Sequence, residues 1–173
     1  MRTIKYILII GICLVMYNCG SDDKQDKNNS EETTTEVSYS SLPAINKISK
    51  EKLEEINKWK TFKELSTLME KFQRQNSGDL TYFAEEFIRL DGEIEKDSLF
   101  PQKFNVPAVR SRLVVLTTFT EQFKTRLDEN SPLDSINISR KRVLDAYNAV
   151  RLQLSETLKS KLYKEFLEGK DAE

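Results

Sequence analysis

The chain has 173 residues, with 27 Lys and Arg against 28 Asp and Glu, no histidine, and two cysteines, both within the first 19 residues. This composition excludes Ser-His-Asp and Cys-His nucleophile systems, Glu-x-x-His di-iron sites, and any disulfide or thiolate metal site beyond residue 19. Residues 49–173 carry 22 cationic and 22 anionic side chains, and a net-neutral domain lacks the basic footprint that general nucleic-acid binding requires.

The chain opens with Arg2 and Lys5, followed by an uncharged and mostly apolar run of eleven residues from Ile7 to Tyr17. That run matches a secretory h-region and is too short to cross about 30 Å of hydrocarbon as a helix. Asn18 closes it, Cys19 stands at its polar end, and Gly20-Ser21-Asp22-Asp23 follows. This arrangement resembles a bacterial lipoprotein signal peptide. The resemblance implies that residues 1–18 are removed and that Cys19 carries diacylglycerol on its thiol and an acyl chain on its new amino group. Cys13 is the competing thiol, but it lies inside the apolar run. The alternatives are a plain signal peptide, which would leave Cys19 as a lone thiol, and an uncleaved anchor. Gly20 is not the Asp that retains enterobacterial lipoproteins at the inner membrane. Ser21, Asp22 and Asp23 are similar to the acidic export signal of Bacteroidota surface lipoproteins. The expected location is the outer membrane, lipid-anchored, with the cell surface preferred to the periplasmic face.

Residues 20–42 are rich in Ser, Thr, Asn, Asp and Glu. Such a segment buries too little apolar surface to offset its ordering entropy. Residues 19–48 are therefore expected to be a lipidated cysteine and a disordered linker, with a flexible-coil span of roughly 25–30 Å for residues 20–42.

Four amphipathic helices are predicted over 49–168. The first runs from an N-cap at Ser49 to about Asn76, with Leu53, Ile56, Trp59, Phe62, Leu65, Leu68, Met69 and Phe72 on its apolar face. Thr61 to Glu64 has capping-box spacing, which permits a restart near Lys60. The second runs from about Asp79 to Asp97, with Leu80, Phe83, Phe87, Leu90 and Ile94 in a 3-4-3-4 rhythm. Gly92 interrupts it and could admit a close neighbour. Leu99, Phe100 and Phe104 make the connection at 98–106 apolar, so it should fold over one end of the bundle; an exposed partner-recognising patch is the alternative. The third helix opens at Asn105 and Pro107 and reaches about Leu127. The fourth starts at Ser135 or Ser139, carries Val143, Tyr147, Val150, Leu154, Leu158, Leu162 and Phe166, and stops at Gly169, leaving a frayed tail at 169–173. Short connections between such helices imply an all-α, antiparallel up-down four-helix bundle. In that topology Asp91, Glu93, Glu95 and Asp97 lie at the same end as Arg110, Arg112 and several lysines. Arg140, Lys141 and Arg142 lie near Asp79, Asp128 and Glu129.

Glu85 with Glu86, and Glu93 with Glu95, are the available paired carboxylates. Sequence neighbours do not share a helix face, so a solvated acidic surface is the simpler reading. Arg110 and Arg112 could hold an anion, but pairing with acids of the second helix is expected instead. No catalytic residue, cofactor or metal is expected. The function expected is that of a lipid-anchored envelope protein, a structural or interaction module bound to the membrane through its anchor and to an envelope protein partner. A binding or inhibitory module, either an immunity-type lipoprotein or a small-ligand binder, is the alternative.

Overall fold

The computed structural model describes residues 37–96, 98 and 100–170, with side chains through Lys159. Its helices are α1 (Lys50–Ile56), α2 (Lys60–Arg74), α3 (Thr81–Lys96), α4 (Pro107–Asp128) and α5 (Leu133–Lys170), with a 3-10 turn at Gln102–Phe104. No strand occurs among the described residues, and the chain is an all-α antiparallel bundle. Residue pairs fix the directions. Lys52 meets Ser155, Phe62 stacks on Tyr147 and Gln75 meets Arg140, so α1 and α2 together run antiparallel to α5. Phe72 packs against Phe83 and Phe87 where α2 meets α3, and Asp91 meets Thr120 where α3 meets α4.

The first predicted helix does restart at Lys60, for a reason other than a capping box. Asn57 closes α1 with a hydrogen bond from its N–H to the Leu53 carbonyl, and Trp59 adopts an extended conformation as the N-cap of α2. Thr61 therefore lies one residue inside the helix. The turn carries the Trp59 indole into the core, where it lies 4.5 Å from the Phe100 ring and 5.4 Å from Phe62. Phe100 and Phe104 are both buried, so the apolar connection closes this end of the bundle. Burying each such ring contributes on the order of 1.5–3 kcal/mol, which outweighs the cost of interrupting a helix by one turn.

The turns at the opposite end follow from single residues. Gly78 has φ 80° between α2 and α3, a left-handed conformation open to glycine without steric penalty. Asn130, at φ 49°, ends α4, and the Ser131 N–H returns to the Arg126 carbonyl at 2.9 Å, the αL termination in which Asn substitutes for Gly. Helix α5 then begins at Leu133, two residues before the earlier of the expected starts. The Pro132 carbonyl accepts from both Ser135 and Ile136, so no serine cap is needed. At its far end α5 continues through Gly169 to Lys170; a glycine permits a stop but does not impose one. Leu162 and Phe166 lie outside the residues whose side chains are described.

The largest departure from expectation lies before α1. Residues 37–48, expected to be linker, form an ordered strap along the bundle. Tyr39, Leu42, Ile45 and Ile48 are partly buried against the core. Polar contacts that hold the strap include Tyr39 N–H to the Asn76 carbonyl at 2.7 Å, Ser40 N–H to Asn137 Oδ1 at 3.0 Å, Asn46 N–H to Asn148 Oδ1 at 2.9 Å, and Gln73 Nε2 to the Leu42 carbonyl at 3.3 Å. The apolar residues at 39, 42, 45 and 48 recur every third position, which lets one side of an irregular segment remain on the bundle.

Arg140 anchors the strap, and it does so without an ion pair to the carboxylates expected near it. Its side chain is fully buried and pairs with none of Asp79, Asp128 or Glu129. Instead Nη1 donates to the Ser40 carbonyl at 2.8 Å, and Nη2 donates to the Gln75 carbonyl. The guanidinium stacks 4.9 Å from the Tyr39 ring and 5.6 Å from Phe72. Burial lowers its pKa from the ordinary arginine value, opposed in part by Tyr39. Because α5 begins at Leu133, Arg140 lies beyond the first turn, where the helix dipole no longer dominates.

The charged residues mostly pair within their own helices. Arg89 binds Glu86 and Glu93, Lys124 binds Asp128, and Lys141 binds Asp145. Between elements, Lys103 on the 3-10 turn reaches Glu55 on α1. Hydrogen bonds from Lys103 and then Lys58 hold the Glu55 carboxyl down to about 2. Gly92 also departs from expectation: a Cβ there would meet nothing within 4 Å, so no neighbouring helix approaches it.

Candidate functional site

The α3–α4 interface holds the one carboxylate among the described residues that is buried. Asp91 is 4% exposed. It occupies the apolar face of α3, four residues after Phe87 and three before Ile94, both buried. Thr120 stands opposite on α4, itself buried, four residues after Leu116 and three before Phe123. Each is a polar residue set into an apolar stripe, and the two interruptions meet: Thr120 Oγ1 lies 2.6 Å from Asp91 Oδ2.

The same Thr120 hydroxyl lies 2.8 Å from the Thr117 carbonyl. A hydroxyl has one proton and cannot donate to both acceptors. If Asp91 is protonated, its O–H donates to Thr120 Oγ1, whose own proton goes to the Thr117 carbonyl, and both bonds are made. If Asp91 is ionised, the Thr120 proton turns to the carboxylate and the Thr117 carbonyl loses it. Burial pushes Asp91 up to about 7; the Thr120 hydrogen bond opposes the shift, and the Glu121 charge reinforces it. Among the described residues Asp91 has no cationic partner.

Asp91 forms the floor of a groove of about 390 Å³ between α3 and α4. Ile94, Leu113 and Val114 supply apolar walls, Thr117 and Thr118 line it with hydroxyls, and Glu95 and Glu121 add two carboxylates. Arg110 lies at one end with its guanidinium 3.5 Å from the centre of the Phe100 ring and its Nε donating to Asn105 Oδ1 at 3.1 Å. Arg112 donates to the Ala108 carbonyl at 3.0 Å. Neither arginine forms the expected ion pair with Glu93 or Glu95, because stacking and local hydrogen bonds already engage both side chains.

The remaining paired carboxylates do not converge. Glu86 and Glu93 are both held by Arg89 on the helix surface, and Glu85 is exposed. Among the described residues no group of three or more His, Cys, Asp or Glu side chains is arranged to hold a metal ion. A wider hollow of about 610 Å³ lies at the opposite end, among Tyr39, Asp79, Leu127, Leu133 and Ile136. Asp79 there accepts from the Thr81 N–H at 2.8 Å, which caps α3 and holds the carboxyl below its ordinary value. Cys19, Ser21, Asp22 and Asp23 lie outside the described residues. No helix among the described residues is long and apolar enough to cross a membrane.

Sequence reasoning grouped Asp91 with the surface acids of its helix. Its place in the stripe, between Phe87 and Ile94, was the signal that separates it from Glu93 and Glu95. No protein-family model, curated protein or solved structure matches the chain.

Proposed function

We propose that this chain is a lipid-anchored protein of the bacterial envelope whose helical bundle serves as a structural or protein-interaction module. The observation that carries this reading is the uncharged run Ile7–Tyr17 ending at Cys19 and followed at once by Gly20-Ser21-Asp22-Asp23. The acyl chains on Cys19 hold the membrane at about 0.8 kcal/mol per buried CH₂. Residues 20–36 separate the anchor from the strap, and Ser21, Asp22 and Asp23 direct the protein to the outer face of the outer membrane. The reading assigns no enzymatic activity.

Metabolic labelling with an alkyne fatty acid tests the anchor: the wild type takes up label and Cys19→Ser does not. Equal labelling of both removes the anchor. Protease added to intact cells tests the location. Surface display predicts cleavage within 20–36 while a periplasmic control protein stays whole, and Asp22→Ala with Asp23→Ala restores protection. Protection of the wild type places the bundle in the periplasm.

A second reading, a small-ligand binder, is favoured by one specific observation, the α3–α4 groove with a buried carboxylate at its floor.

A further inference from the structure

We infer that the α3–α4 groove is a binding site for an alkylammonium group, with Asp91 as its anion and Ile94, Leu113 and Val114 enclosing the aliphatic stem. The inference deepens the ligand-binding reading and stands whether or not Cys19 is acylated.

Three features converge on a cation with a short apolar stem. The first is the unbalanced charge. A carboxylate 4% exposed is costly to ionise without a counter-ion, and among the described residues only the Thr120 hydroxyl is hydrogen-bonded to it. The charged groups around Asp91 are Glu95 on its own helix and Glu121 and Arg110 on α4. Arg110 stacks on the Phe100 ring and donates its Nε–H to Asn105, and its single positive charge is outnumbered by the three acidic side chains that line the groove. The second feature is shape. At about 390 Å³ the groove lies within the range of small-molecule sites, which combine apolar walls with a few placed polar groups. The third is hydrogen bonding. An ammonium has three donors and no acceptor. It can engage Asp91 and the hydroxyl oxygens of Thr117 and Thr118, which line the same groove. A neutral alcohol would offer one donor and leave the charge unbalanced.

Binding and protonation are therefore linked. An ammonium pairs with the ionised form of Asp91 and displaces its proton. Affinity should rise with pH until Asp91 is fully ionised in the free protein.

The test is titration of the ¹⁵N-labelled full-length protein with n-butylammonium and with n-butanol, its neutral counterpart, followed by amide shifts. At pH 8 butylammonium should move the amides of 91–95 and 110–121, with butanol at least tenfold weaker. Lowering the pH to 5.5 should weaken butylammonium by about thirtyfold, the ratio of ionised Asp91 at the two values for a group titrating near 7. Asp91→Asn keeps the shape and should lose tenfold or more, while Glu121→Gln at the rim should lose only a few-fold. The source of the ammonium is read from two further ligands. Cadaverine binding more tightly than N-acetyl-lysine methylamide identifies a free amine, the reverse order identifies a lysine side chain, and either supports the site. Equal binding of butanol and butylammonium would keep a ligand groove and overturn the ammonium assignment. No shift with either overturns both. Affinity that survives Asp91→Asn, or that ignores pH in the wild type, removes Asp91 as the anion.

Discussion

Arg140 on α5 donates to the carbonyl oxygen of Ser40, 100 residues earlier in the chain, at 2.8 Å. The bond joins the strap to the bundle, and its partner bond to the Gln75 carbonyl joins both to the end of α2. One fully buried cation thus closes three segments together by hydrogen-bonding two backbone oxygens rather than a carboxylate. Its Nε has no hydrogen-bond partner among the described residues, so the arrangement carries part of the desolvation cost of a buried charge.

Arg140→Lys should therefore not rescue this junction. A lysine keeps the charge but cannot present two donors in a planar fork or stack on Tyr39 and Phe72 in the same way. We expect Arg140→Lys to cost at least about 1.5 kcal/mol. Arg140→Met should cost about 2–3 kcal/mol, because it leaves two carbonyls short of a donor while relieving the buried charge. Urea denaturation measures both, and a lysine variant as stable as wild type would mean that charge alone holds the strap.

The strap should be an energetic part of the domain. A chain beginning at Ser49 loses Tyr39, Leu42, Ile45 and Ile48 from their partly buried positions. Partial burial of four such side chains corresponds to roughly 2–4 kcal/mol. A chain beginning at Val37 should keep the wild-type midpoint in urea, and one beginning at Ser49 should have a lower midpoint, with an unfolding free energy smaller by that amount. Identical midpoints would show that the strap rests on the bundle without stabilising it.

Asp91 should make the protein less stable as pH rises. Its folded-state pKa of about 7 lies above its ordinary value of 3.8. The folded state therefore binds the extra proton across that window. The contribution is fully present below pH 3.8 and is lost as pH rises through 7. A loss on the order of 2–4 kcal/mol is expected between pH 4 and pH 8 from this group, taking ~1.4 kcal/mol per unit. Glu55 acts with the opposite sign, since its pKa is lowered from 4.5 to about 2; its contribution is present above 4.5 and fades below it. The two windows overlap only between pH 3.8 and 4.5, so Asp91→Asn should flatten the stability profile above pH 4.5 and raise the melting temperature at pH 8. A profile still falling in the Asn variant would assign the slope to another group.

Gly92→Ala should stabilise the protein. Position 92 lies within α3, and a Cβ there meets nothing within 4 Å. Alanine is favoured over glycine in a helix interior by ~1 kcal/mol, and no packing penalty opposes it here. A rise of about that size in denaturant unfolding is expected. A destabilised variant would show that the position needs more room than the backbone indicates.

Periodicity alone determined the all-α bundle. Leu80, Phe83, Phe87, Leu90 and Ile94 repeat at helical spacing, and all five are buried in the structure, because a stripe that wide cannot remain in water. The closure of one end by Phe100 and Phe104 was also legible, since apolar side chains seek burial nearby in the chain; the restart near Lys60 was legible in place but not in cause, because Trp59 and not a capping box at Thr61 to Glu64 opens the second helix. The lipoprotein-like reading of Ile7 to Cys19 rests on local sequence alone, and those residues lie outside the described ones. The tertiary structure decided what depends on distant partners. Residues 37–48 read as linker because they continue from the polar run at 20–42 without a helical period; they are ordered because their apolar side chains meet the core and because Asn137, Arg140 and Asn148 on a helix about 100 residues away accept or supply their hydrogen bonds. Asp91 and Thr120 each look like an isolated polar residue, and only antiparallel packing of α3 on α4 brings them to 2.6 Å. A single residue's burial and charge state are set by what packs across from it, and helical spacing reports which face a side chain occupies without naming that neighbour.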